Sequence, residues 1–146
     1  MFDLYYNTDM ITEYHNLTIT RKTSGVIPSI DFLVIKNYIL GKKYELSLVF
    51  PDTLESIRLH KKFKSKNNPV NILSFPLSES EGEIFITLSK ARSECKKWNI
   101  SYYQYLTYLF IHGCTHLRGL DHGSDMDTLE RKYCNYFKIP YIYEHE

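Results

Sequence analysis

The chain predicts a single α+β domain: a small mixed β-sheet packed with helices, one of them central. Three observations carry this. Strand-like alternation at residues 44–50, 71–75 and 83–87 is interspersed with stretches of helical periodicity. A chain of 146 residues suits one domain and can bury a real core. The stretch that starts at Ser101 and runs into the three-histidine motif is apolar over much of its circumference, which places it at the centre of the fold.

Residues 2–6 and 17–20 each have weak strand character, and either can supply the first strand. Ser29 caps a helix to Leu40, with Ile30, Leu33, Val34 and Tyr38 on one side, and Gly41 ends it. Tyr44, Leu46, Leu48 and Phe50 then alternate with Glu45, Ser47 and Val49, a strand with one buried face. Pro51 breaks it, and Asp52 with Glu55 has capping-box spacing for a helix carrying Leu54, Ile57 and Lys61. Asn67-Asn68-Pro69 is turn chemistry and leads into the strand at 71–75. Strand, helix and strand at this length predict a right-handed parallel crossover. The link at 76–82 is too short for another, so 83–87 returns antiparallel. A short helix follows at 89–98, with Lys90, Arg92, Lys96 and Lys97 outward. Ser101 and Gln104 form a second capping box, opening the central helix with Leu106, Leu109, Phe110 and Gly113 on its apolar faces. The last helix runs over 125–137, with Met126, Leu129, Tyr133 and Phe137 at helical spacing. Pro140 ends the order, and 141–146 frays.

The central helix ends in His112-Gly113-Cys114-Thr115-His116-Leu117-Arg118-Gly119-Leu120-Asp121-His122. A spacing of four puts His112 and His116 on one helix face, where two imidazoles can grip one metal ion. Gly119 supplies a helix stop, so the chain doubles back and His122 arrives as a third nitrogen ligand. Three nitrogens leave the fourth tetrahedral position of zinc open, the catalytic arrangement. Cys114 sits about 200° round the helix from His112 and is packed rather than ligating. Asp121 either orients a ligand histidine or holds the turn. The H-x-x-x-H-x-x-G-x-x-H spacing is that of the metzincin peptidases, but their general-base Glu position is Gly113 here. The metal reading loses nothing by this, whereas a peptidase loses its proton acceptor.

His112, Gly113, His116, Leu117, Gly119, Asp121 and His122 resemble the H-G-x-x-H-L-x-G-x-D-H signature of the YbeY family, metal-dependent endoribonucleases of bacterial ribosomal RNA maturation. Asn71-Ile72-Leu73-Ser74-Phe75-Pro76 and Gly82-Glu83-Ile84-Phe85-Ile86 resemble two further family segments, and the likeness runs over residues 44–137. It implies a zinc-dependent, single-strand-specific endoribonuclease that acts at the 16S ribosomal RNA 3′ end and in ribosome quality control. Its partners would be RNA and the ribosome or its small-subunit proteins. The family's loop arginine aligns through Pro69 with Lys64, a point charge without the forked donor of a guanidinium. The resemblance also places Ser74 near the cleft as a candidate substrate contact, whereas the residue by itself reads as a packed or hydrogen-bonded strand serine.

The remainder bounds the reading. The formal net charge is +1, so the chain is no strongly basic nucleic-acid binder overall. Distribution matters more: Arg58, Lys61, Lys62, Lys64 and Lys66 cluster ahead of the 71–76 stretch, which makes Arg58, Lys62 and Lys64 candidate phosphate contacts. Cys95, Cys114 and Cys134 lack a pairing pattern, and the first residues lack a positive leader region. No apolar run approaches the roughly 20 residues that span a bilayer. These features predict reduced thiols and a cytoplasmic protein without a membrane partner. His15 and His145 read as solvent-facing or structural, and His60 as a surface helix residue beside the basic cluster rather than a phosphate contact. A bound zinc would bring the pKa of its water to roughly 7. Cleavage then proceeds through water or a ribose 2′-hydroxyl, and both routes place negative charge on phosphoryl oxygens that a cation must meet. A ribosome-assembly factor with a structural metal, and a metallopeptidase, are the alternatives from other classes.

Overall fold

The computed structural model describes residues 10–119 and 124–142. Its elements run β1 (Met10–Tyr14), β2 (Leu17–Arg21), α1 (Phe32–Leu40), β3 (Glu45–Phe50), α2 (Thr53–Lys64), β4 (Ile72–Ser78), β5 (Glu81–Ile86), α3 (Leu88–Glu94), α4 (Tyr102–Leu117) and α5 (Ser124–Tyr136). The strands form one sheet of order β1-β2-β3-β5-β4. β2–β3 and β3–β5 are parallel, whereas β1–β2 and β4–β5 are antiparallel. The expected mixed α+β sheet is therefore present. Of the two N-terminal candidates, 17–20 is β2, and 2–6 lies outside the described residues. β1 went unforeseen because all five of its residues are exposed, which leaves no alternation to read.

The expected parallel crossover from β3 to the 71–75 strand is wrong. β3 pairs with β5, and β4 lies beyond it at the edge, running opposite to both. Burial explains the order: Ile84, Phe85 and Ile86 are all buried, so β5 needs cover on both faces and neighbours on both sides. β4 carries Pro76 and a register shift between Pro76 and Ser78, and a residue without an N–H belongs at an edge.

Alternate residues separate into two cores. Leu46, Leu48, Ile84 and Ile86 pack with Leu106, Leu109 and Phe110 of α4. Val49, Phe85 and Leu73 pack on the other face with Val70 and Leu59 of α2. α2 is anchored by buried Ser56, whose Oγ accepts from Val70 N at 2.9 Å and meets Thr87 Oγ1 at 2.5 Å. Its Leu54 is exposed.

Two helix details differ from expectation. Asp31, not Ser29, caps α1, its Oδ1 accepting from Val34 N at 3.2 Å. The helix turns Phe32, Ile35 and Ile39 inward and leaves Val34 and Tyr38 exposed. FLVIKNYIL is apolar on both sides, so packing rather than pattern selects the face. Lys36 is fully buried, its Nζ donating to Asn37 Oδ1 and Lys42 O at 3.2 Å, and burial lowers its pKa. The end of the chain also differs: Ile139 and Ile142 are buried, so order continues past Pro140. α3 ends at Glu94, short of the expected 98. Among the described residues no helix is long and apolar enough to cross a membrane.

Candidate functional site

The capping box sets the register of α4. Ser101 Oγ accepts from Gln104 N, and Gln104 Oε1 accepts from Ser101 N, both at 3.0 Å. Three turns later His112 and His116 stand on one side of the helix, their rings nearly perpendicular and their Nε2 atoms 3.1 Å apart. Cys114 is fully buried, and burial pushes its thiol pKa up, as suits a packed rather than a ligating side chain. Gly113 faces the sheet. A Cβ there would lie 2.9 Å from Ile72 Cδ1 and 3.0 Å from both Ile84 Cδ1 and Ser74 Oγ. Ser74 Oγ donates to Gly113 O at 3.3 Å, so this serine ties β4 to α4 beside the histidines.

His112 Nδ1 contacts Glu130 Oε1, and Glu130 is fully buried. The Tyr108 hydroxyl donates to Glu130 Oε2 at 3.3 Å, and its ring stacks on His112 with centroids 5.8 Å apart. Burial, and then the charge of Glu130, hold the Tyr108 hydroxyl pKa far above its usual range. The sequence reading missed Glu130, although a signal was present. Met126, Glu130, Tyr133 and Phe137 are spaced i, i+4, i+7, i+11, which puts a carboxylate in the apolar stripe of α5.

α4 stops where expected. Gly119 has φ +85°, and its N donates to His116 O at 3.0 Å. Arg118 Nη1 donates to Tyr133 OH at 2.5 Å, tying the helix end to α5. Among the described residues no heavy atom lies within 4 Å of a Cβ built on Gly119, so its positive φ is the feature that substitution tests. Gly119→Val should cost about 1–3 kcal/mol, because a β-branched residue resists positive φ. Gly119→Asn should cost much less. Equal thermal midpoints for the two variants would remove the argument. Asp121 and His122 lie outside the described residues.

Arg58, Lys61, Lys62, Lys64 and Lys66 are all exposed, on α2 and just after it. α2 lies across the sheet from α4, and no hydrogen bond or ion pair joins Lys64 to His112, His116 or Ser74 among the described residues. The two faces meet at the β4 edge: Phe63 packs on Phe75 at 4.7 Å between centroids, and Phe75 follows Ser74. Phe63 is 49% exposed, and Lys62 Nζ lies 5.2 Å from its ring centroid. His60 Nδ1 meets Asn68 O at 2.7 Å and so holds the loop, while His15 is exposed. His145 lies outside the described residues.

Two imidazole nitrogens at about 2.0–2.1 Å on one tetrahedral zinc stand roughly 3.3 Å apart. The 3.1 Å between the two Nε2 atoms fits this, as does a carboxylate on the far nitrogen of His112. Among the described residues no group of three His, Cys, Asp or Glu side chains gathers as a donor set, and His122 lies outside those residues.

The profile of the family described as Endoribonuclease YbeY matches residues 11–136. The chain belongs to the YbeY endoribonuclease family. The Endoribonuclease YbeY of Zymomonas mobilis is 34% identical over 137 residues, covering 80% of this chain and 76% of that protein. That of Colwellia psychrerythraea is 33% identical over 97 residues, and the match spans 63% of that protein's length. TM1509 from Thermotoga maritima, solved in solution, shares the fold with a TM-score of 0.57 at 21% identity, covering 84% of this chain and 91% of that one. Every element from β2 to α5 thus lies within the match to the YbeY family.

Proposed function

We propose that the chain is a zinc-dependent endoribonuclease that cleaves single-stranded RNA in the cytoplasm, during 16S ribosomal RNA 3′-end maturation and ribosome quality control. The observation that carries this reading is the converging Nε2 pair of His112 and His116 in a chain of the YbeY family. His112, His116 and His122 would hold the zinc. Such an ion polarises a phosphoryl oxygen and lowers the pKa of a coordinated water.

The other residues would serve the substrate. Arg58 and Lys62 bind phosphates along α2, and exposed Phe63 among them offers an aromatic face to an unpaired base. Ser74 keeps the β4 edge against α4, and Asp121 orients a ligand histidine. RNA and ribosomal small-subunit proteins would be the macromolecular partners, with no membrane partner. A peptidase reading is disfavoured, since the carboxylate it needs would have to occupy the closed space at Gly113.

Lys64 would meet the negative charge that grows on the phosphoryl oxygens. Lys64→Ala should then keep metal and fold but slow cleavage by about 10²–10³. Lys64→Arg should keep the activity or raise it, because a guanidinium restores the forked donor. Cleavage by Lys64→Ala at the parental rate would pass the role to Arg58, Lys61, Lys62, Lys66 or Arg118. The function as a whole is tested by metal analysis of purified protein, together with cleavage of a defined RNA with and without chelator. Chelator-insensitive cleavage, or none, would defeat it.

A further inference from the structure

We infer that Glu130 is a positioning residue: its buried carboxylate fixes His112 with hydrogen on Nδ1, so that Nε2 presents its lone pair beside His116. The inference rests on the metal reading above and deepens it. A fully buried carboxylate is costly unless donors surround it, so its place inside the α5 stripe calls for an explanation. Two donors are visible, His112 Nδ1 on Oε1 and the Tyr108 hydroxyl on Oε2. Oε1 meets Nδ1, and a hydrogen carried there and given to the carboxylate leaves Nε2 to present its lone pair. That bare nitrogen is the one 3.1 Å from His116 Nε2.

Tyr108 completes the arrangement. It sits one turn before His112 on α4, stacks on the imidazole, and holds the second oxygen of Glu130. The same hydroxyl lies 3.3 Å from Ile142 O, so the buried C-terminal segment packs behind the pair. The ring of His112 is thus held on its face by Tyr108 and at its Nδ1 by Glu130. A residue there for packing alone would need neither oxygen directed at these donors.

The test uses the full chain, its Glu130→Gln and Tyr108→Phe variants, zinc as the probe, and two readouts independent of cleavage. Zinc affinity is read by competition with a chromophoric chelator. The His112 tautomer is read from imidazole nitrogen resonances of metal-free protein. Glu130→Gln should bind zinc about 10–100-fold more weakly, the size found when such outer partners are removed. Its His112 should lose the single Nδ1–H form, because an amide can donate as well as accept. Tyr108→Phe should weaken zinc binding only a few-fold and keep that form. Parental affinity and an unchanged tautomer in Glu130→Gln would reduce Glu130 to a packing residue. A mixed or Nε2–H His112 in the parental chain would overturn the inference without any variant. Should the parental chain bind no zinc, the metal reading fails by itself, and the tautomer still decides what Glu130 does.

Discussion

His112→Ala is expected to weaken the proposed zinc site and to destabilise the metal-free fold more than His116→Ala does. Structural zinc sites bind with about 10–16 kcal/mol shared among four ligands, so one lost imidazole should weaken binding by about 10²–10³-fold. RNA cleavage should fall by about 10³-fold or more, because the ion's electrostatic contribution leaves with it. His116→Ala and His122→Ala should match His112→Ala in both respects. The difference lies in Glu130. Removing His112 takes a donor from a carboxylate that is fully buried, and a broken buried pair costs about 3–5 kcal/mol. The Nε2 of His116 meets His112 Nε2 rather than Glu130, so its removal leaves the His112–Glu130 contact in place and should cost the metal-free fold less. Chemical denaturation of the three metal-free proteins decides the matter. Equal stabilities for His112→Ala and His116→Ala would mean that Glu130 does not depend on His112. Full zinc occupancy in His122→Ala would mean that the chain does not double back at Gly119.

Gly113→Glu should cost about 4 kcal/mol or more without producing a peptidase. Aligned with metzincins, this substitution supplies the missing general base on paper. In the structure the first carbon of any side chain would meet Ile72, Ile84 and Ser74 at 2.9–3.0 Å. Ile84 is fully buried and has little room to yield, so overpacking alone should cost about 1–3 kcal/mol. Placing a carboxylate against the two isoleucine side chains adds a desolvation cost of several kcal/mol unless α4 lifts off the sheet. Gly113→Ala carries the packing cost only, offset by about 1 kcal/mol of helix propensity. Urea unfolding of the three proteins should rank parental, Ala, Glu in falling stability. Neither the parental chain nor Gly113→Glu should digest casein. Chelator-sensitive digestion by protein free of contaminating protease would restore the peptidase reading.

Much of the site was legible because its signals are local. The i, i+4 pair on one helix, the Ser101–Gln104 box that sets the register, and the glycine at positive φ all depend on backbone geometry within a few residues. The family signature rests on the same stretch, which is why membership in the YbeY family could be read before any contact was known. The existence of the helices and the buried strands followed similarly from period and caps.

What the tertiary structure alone decided involves residues far apart in the chain. β5 rather than β4 became the partner of β3, because a strand buried on both faces takes the inner position and a proline-bearing strand takes the edge. α1 chose Phe32, Ile35 and Ile39 over an equally apolar opposite face because α4 and the sheet were there to receive them. α2, which ends at Lys64, packs in a different core cluster from α4, and Glu130 came to lie against His112 from 18 residues further along the chain. Short-range pattern determines which segments are helix or strand and which side chains share a face. Which faces then meet is decided by packing and by the partners that buried charge requires, and those act through space rather than along the chain.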